Sequence, residues 1–394
     1  MNSIQIFTQL SDLPPSIEQF FETTSKGNVF FSHPWYRNFI EHILDNGEQL
    51  RAFAVGTGAD SRDPAALLLM RAQTASGFRL RKLEPMVNYY TSLFGPNIDA
   101  AGASVQQCCE QLAELIAGDR PRWDQVNLNP MAHDEPTFEA MKIALENVGF
   151  RTEPYFCFGN WYMKTQGKTF DEYFNGLPSQ LRNTVNRKRK QMQSTKRGRF
   201  EIVTSGEGLD AAISAYEKIY NSSWKVPEPY PNFVRGLIKT CAEHGWLRLG
   251  VGYVDGEPAA AQIWIVYQGI ANIYKLAYDE RFAKTSVGSI LTTNLMRHVM
   301  DTDHVHEIDY LTGDDSYKKD WMSHRRERWG IMAYNSRTPR GLALSGANSL
   351  RKLAQTPCHL FVTCCAQYVP LKAQTFAFVS FRRLLLRVAL LFCI

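Results

Sequence analysis

The stretch from Leu247 to Trp321 constrains the fold more than any other part of the chain, because strand-type and helix-type patterning follow one another there in a fixed order. Residues 247–254 and 259–267 are rich in β-branched and aromatic residues. They are joined across Asp255-Gly256, a dipeptide that tolerates positive φ and suits a tight hairpin turn. Gln268-Gly269 turns the chain again into a third strand, 271–278. Polar residues then lead through Ser286-Val287-Gly288-Ser289 into 290–300, where Ile290, Leu291, Leu295, Val299 and Met300 recur at helical spacing. Residues 305–311 read as one more strand. A strand that ends before a small-residue turn and a helix leaves unpaired backbone N–H groups at the helix start, where a phosphate can be held.

A meander, a phosphate-type turn, a helix and a strand in this order resemble the core of the Gcn5-related N-acetyltransferase (GNAT) superfamily. The closing string 308–321, with Asp309, Gly313, Asp314, Tyr317, Lys318 and Trp321, narrows the resemblance to the BioF2-like and CelD-type acetyltransferase branch. That branch is related to the Fem peptidyltransferases, which extend bacterial peptidoglycan cross-bridges. The resemblance implies an α/β (α+β) fold of two tandem GNAT-like domains, each a mixed, mainly antiparallel sheet flanked by helices. It also implies an acyltransferase of the N-acetyltransferase type, with acetyl-CoA or another acyl-CoA as co-substrate. The acceptor would be an amine or hydroxyl on a sugar or on a cell-envelope or exopolysaccharide precursor.

Length is consistent with two domains, since 394 residues at 44% hydrophobic can bury two cores of ordinary size. The first half repeats the order of elements. A helix starts at Pro34, with Ser32 or His33 placed to cap it. Strands follow at 50–55 and 65–72, with extended stretches at 78–83 and 89–93. Next come a helix at 103–117, a strand at 125–128, a helix at 136–148 ending at Gly149, and an aromatic strand at 155–164. The first copy has no glycine turn before 103–117, so the division is a degenerate GNAT-like domain over 1–167 and a GNAT domain over 168–335. A basic, apolar tail of uncertain order occupies 336–394.

Residues 179–192 form a helix with a dense basic face, and 209–224 and 232–244 are amphipathic helices. Between these last two, Pro227-Glu228-Pro229-Tyr230-Pro231 cannot continue a helix and is placed to line a substrate channel. Residues 338–354 read as a linker bearing glycine and serine. The apolar run 376–394 is interrupted by Arg382, Arg383 and Arg387, so no unbroken segment reaches the roughly 20 residues a spanning helix needs. The net charge of +5 is concentrated toward the end of the chain, where no Asp or Glu follows Glu327.

The N-terminus has no basic residue followed by an apolar run, and the eight cysteines form no CxxC pair. A cytoplasmic protein is the expectation, with the basic tail as the point of any peripheral contact at the inner face of a membrane. The spacing of His298, His304 and His306 crosses from helix to strand and predicts no metal. Nothing resembles a DNA-binding motif. A tRNA enters only if the donor is aminoacyl-tRNA, and the short span between Trp224 and Leu247 leaves no room for the long helical arm of Fem proteins.

Acyl transfer to an amine needs a cradle for donor phosphates, a stabiliser for the developing oxyanion, a route for the amine proton and a cleft that positions both substrates. Ser286, Val287, Gly288 and Ser289 form the cradle candidate, with Arg281 or Lys284 within reach of a phosphate. The usual superfamily turn has Arg or Gln where this chain has Ala283, and glycine where it has Ser286. Asp309 or Asp314 accepts the amine proton if burial raises its pKa, and Asp314 otherwise contributes to substrate binding. By resemblance, Lys318 stabilises the oxyanion or a donor phosphate, and Tyr317 is an alternative proton donor to the departing group. Trp321, Tyr89 and Tyr90 are candidates for substrate contact. A non-catalytic pair of domains serving polysaccharide assembly is the contrasting reading, and the departures at Ala283 and Ser286 favour it.

Overall fold

A computed structural model describes residues 4–44, 47–56, 64–73 and 80–355. Among them the strands are β1 (Ile4–Phe7), β2 (Glu48–Gly56), β3 (Pro64–Gln73), β4 (Lys82–Pro85), β5 (Asn97–Ile98), β6 (Gln125–Ala132) and β7 (Phe150–Lys164) in the first half of the chain. The second half adds β8 (Gly198–Val203), β9 (Leu247–Val254), β10 (Glu257–Tyr267), β11 (Ile270–Tyr278), β12 (Glu307–Asp309) and β13 (His324–Asn335). They join one continuous sheet in the order β1-β2-β3-β4-β6-β13-β7-β12-β11-β10-β9-β8, with β5 on β3.

Two strand pairs are parallel, β4 with β6 and β11 with β12, and the rest are antiparallel. A parallel pair needs a crossover, and each has a helix in that position: Val105–Gly118 in the first half and Val287–Asp301 in the second. The repeated unit expected from the sequence is therefore visible as topology. The two units share one sheet because β7 pairs with β13 along most of its length and with β12 at its end.

Three buried clusters hold the layers together. One, around Phe53, Leu112 and Met141, belongs to the first half, and another, around Trp264, Leu295 and Trp321, to the second. The third packs Trp35, Phe39 and Tyr90 against Tyr216, Phe233 and Leu249, so the halves meet through an apolar core rather than a hinge. Trp35 and Phe233 meet edge to face at 5.4 Å. The helix His33–His42 starts as its cap requires, with Ser32 Oγ accepting from the Trp35 N–H.

Several local expectations are corrected. Residues 339–355 form a helix, Pro339–Gln355, instead of a linker. Thr338 caps it by accepting from the Gly341 N–H, and Pro339 occupies the first turn where its missing N–H costs nothing. The stretch 89–93 forms no strand, because the Asn88 side chain accepts from the Tyr90 N–H and folds it as a turn. Strands β1, β8 and β13 and the helix Ile17–Thr24 were not read from the sequence. Residues 356–394, including the apolar run 376–394, lie outside the described residues. Among those described, no helix is long and apolar enough to cross a membrane.

Candidate functional site

The turn after β11 is built residue by residue. Asp279 accepts from the Arg281 N–H and opens a short 3-10 turn, Glu280–Thr285, which ends at Ser286. Ser286 takes φ 57° and ψ 30°, the left-handed conformation that a glycine would adopt without steric cost. The helix Val287–Asp301 begins immediately after, and its first turn leaves the amides of Val287, Gly288 and Ser289 without intrahelical acceptors. A buried side chain not singled out from the sequence fixes this start. Gln262 of β10 donates to the Gly288 carbonyl at 3.1 Å and to Thr292 Oγ1 at 2.8 Å, while accepting from the Trp264 indole at 2.9 Å.

The cleft below the turn follows from the sheet. Strands β11 and β12 pair only from Ile270 to Asn272 and from Glu307 to Asp309. The next residue, Tyr310, gives its N–H to Trp161 of β7 and leaves the edge of β11 open. Tyr274 is an unpaired extra residue between Ile273, opposite Trp264, and Lys275, opposite Ile263. Two adjoining cavities occupy the opening. One, of about 400 Å3, runs from Ser286, Val287, Gly288 and Ser289 down to Leu276, Tyr310, Tyr317 and Trp321. The other, of about 840 Å3, shares Trp224, Leu276, Tyr310 and Tyr317 with the first. It reaches Lys318, Lys275 and Lys225 in the second half and Tyr89 and Tyr90 in the first.

This geometry brings together the cradle residues, Tyr317, Lys318, Trp321, Tyr89 and Tyr90, but separates them from four others. Lys318 is buried, and its ammonium donates to the carbonyls of Thr312 at 2.5 Å and Gly313 at 3.1 Å, with Asp315 at 3.3 Å. Burial lowers its pKa, partly offset by Asp315. Tyr317 is 43% exposed on the wall shared by both cavities. Its hydroxyl is pushed up to about 12 by burial and by the Asp315 charge, so it is protonated at neutral pH and able to donate.

Asp309, a candidate proton acceptor, stands apart from the cradle and its cleft. It lines neither of these cavities and opens on a third, of about 300 Å3, at the seam of the halves. There its carboxylate is held by Arg326 at 2.5 Å and accepts from the Asn160 amide and the Leu311 N–H, which ties it to the seam. Asp314 lines none of the three cavities and is paired with Arg325 at 2.8 Å and with the Trp161 indole. Arg281 is 60% exposed and engaged by Asp279 and Glu257. Lys284 lines neither cavity; its carbonyl accepts from Lys188, which sets the basic helix Ser179–Ser194 beside the cradle.

The strongest cluster in the larger cavity was missed from the sequence. Lys275 lies 2.5 Å from Glu228 and 3.1 Å from the Tyr89 hydroxyl, with its ammonium 4.1 Å from the Tyr90 ring centre. Tyr89, Tyr90 and Tyr216 also donate to Glu228. Burial lowers the Lys275 ammonium to about 8, against the pull of Glu228. Burial works to raise the Glu228 carboxyl, and the bonds from Lys275 and Tyr90 outweigh it, leaving it below the usual range. The available signal was a lysine at alternate sequence spacing from Ala271, Ile273 and Ala277 in an apolar strand pattern, together with a glutamate between two prolines.

A helix-spanned parallel pair that parts over a cleft, with bare helix amides at one end, is the arrangement of a GNAT-type fold. Residues 179–319 match the family model described as an acetyltransferase (GNAT) domain. Among solved structures, FemX aligns with a TM-score of 0.56 at 11% identity, covering 84% of this chain and 97% of FemX. A conserved protein of unknown function from Bacteroides thetaiotaomicron aligns with a TM-score of 0.50 at 12% identity, covering 85% and 100%. At these identities the likeness is one of fold: tandem GNAT units in one mixed, mostly antiparallel sheet. Comparison with curated proteins gives no match.

Proposed function

We propose that the chain is an acyl-CoA-dependent acyltransferase acting on an amine or hydroxyl of a sugar or cell-envelope precursor. The observation that carries this reading is the continuity of the two cavities. The Gly288 turn lines one, Lys318 lines the other, and Tyr317 stands on the wall between them. In this reading the amides of Val287, Gly288 and Ser289 hold the donor pyrophosphate, aided by the positive field of the basic helix through Lys188 and its neighbours. The acyl-CoA supplies a thioester. The chain's residues exclude water from it, align the acceptor and manage protons, with Tyr317 as the donor to the departing sulfur. The acceptor enters between Tyr89 and Trp224, both about half exposed at the cavity mouth.

Aminoacyl-tRNA is the less favoured donor, because the helices Leu209–Asn221 and Pro231–Glu243 are joined by a short loop and carry no helical arm. A thermal-shift titration tests the reading. Acetyl-CoA or CoA at one hundred times its Kd should stabilise the protein by about 2.7 kcal/mol. No shift with either would remove acyl-CoA as donor and favour the non-catalytic alternative.

A further inference from the structure

Resting on the transferase reading, the geometry points to Lys275 as the residue that takes the proton from the acceptor amine, with Glu228 as its positioning partner. Lys275 stands on β11 just after the bulge at Tyr274, where the strand edge opens onto the cleft. The neighbouring residue, Leu276, already lines the donor cavity, so Lys275 sits where donor and acceptor spaces meet. None of the other candidates offers this. Lys318 is occupied by backbone carbonyls, Asp309 faces another cavity, and Asp314 is bound to Arg325.

The groups around Lys275 come from every element packed on it. Tyr89 and Tyr90 approach from the first half, Tyr220 from the helix Leu209–Asn221, and Glu228 and Lys225 from the proline-rich loop. Lys318 and Asp315 line the same cavity from the closing loop. Burial disfavours the ammonium, Glu228 restrains the shift, and Lys225 adds repulsion. A lysine so placed is partly neutral near neutral pH, as a general base requires.

The step balances. The acceptor nitrogen attacks the thioester carbonyl, the new C–N bond forms, and the C–S bond breaks. The proton lost by nitrogen goes to Lys275 Nζ, while Tyr317 gives its proton to the departing thiolate. Return of the proton from Lys275 to Tyr317 through solvent resets the site, and the products are an amide and free CoA.

The test uses the full chain with acetyl-CoA as donor and hydroxylamine as surrogate acceptor, a nucleophile that does not titrate over the range assayed. Wild-type CoA release should rise with pH along a limb near 8. K275M should lose the limb and fall about 100-fold. E228Q should move the limb to lower pH, because the carboxylate charge that favours the ammonium is gone. Carbon-13 NMR of labelled lysine should show the same displacement in E228Q, a readout that stands even if K275M fails to fold. An unchanged limb in folded K275M, or an unshifted one in E228Q, overturns the assignment while leaving the transferase reading intact. Absence of catalysed release by the wild type withdraws both.

Discussion

Lys318 Nζ donates to the carbonyl oxygen of Thr312 at 2.5 Å, which makes this lysine the anchor of the loop that carries Tyr317 into the cleft. Its remaining donor capacity goes to Gly313 and to Asp315. A lysine that lines the cavity is here also a structural tie.

Lys318→Met should therefore lower stability, because buried carbonyls lose their donor. The cost is about 2–3 kcal/mol, measurable as a fall in the urea midpoint at unchanged m-value. Turnover should fall as well, since Tyr317 loses its support. A variant of wild-type stability would show that the ammonium is free for another role.

Gly288→Val separates folding from donor binding. A Cβ built on Gly288 meets only the Tyr278 ring, at 3.8 Å, and the residue lies in the first turn of a helix. Stability should stay within about 1 kcal/mol of wild type. The added methyls stand over the bare amides, so CoA affinity by calorimetry should fall at least about tenfold. Undiminished CoA binding would place the donor phosphates elsewhere.

Asp309→Asn addresses the residue that the sequence offered as a base. Its carboxylate is a buried partner of Arg326, which keeps Glu307 at 2.8 Å as a second partner. The substitution should cost stability without touching either substrate cavity. CoA release measured below the melting range should stay within about twofold, whereas loss of a general base costs about 100-fold or more. A collapse in rate would return Asp309 to the mechanism.

The elements legible in the sequence were those whose signals are local. Asp255-Gly256 and Gln268-Gly269 mark hairpins, and the spacing from Ile290 to Met300 marks a helix, each within a dozen residues. What stayed hidden is non-local or conformational. Strand β13 is specified by β6 and β7, far earlier in the chain, and its own residues from His324 to Arg328 are mostly charged. Ser286 gives no sign in its identity that it adopts a glycine conformation. The Lys275 cluster joins residues 47 and 186 positions apart, and only the closed sheet brings them together. The helix Pro339–Gln355 was obscured by Gly341 and Gly346, although its cap, Thr338-Pro339, was present to be read.

The Lys275 cluster also dictates how stability depends on pH. Burial holds the ammonium near 8, whereas the unfolded chain restores the ordinary 10.5. Between these values the unfolded chain binds more protons than the folded one, so the contribution of this residue to stability grows as pH rises through the window. Glu228 is held below the usual carboxylate range and does not titrate there. The tyrosines act in the opposite sense and later. Burial holds Tyr89 near 12 and Tyr90 and Tyr220 higher still, so the folded protein keeps them protonated while the unfolded chain ionises them above pH 10. The difference in melting temperature between wild type and Lys275→Met should therefore shift in favour of the wild type from about pH 7.5 to about pH 9.5. A flat or falling difference over that range would mean that Lys275 is not held in a depressed state, and that Glu228 dominates its environment.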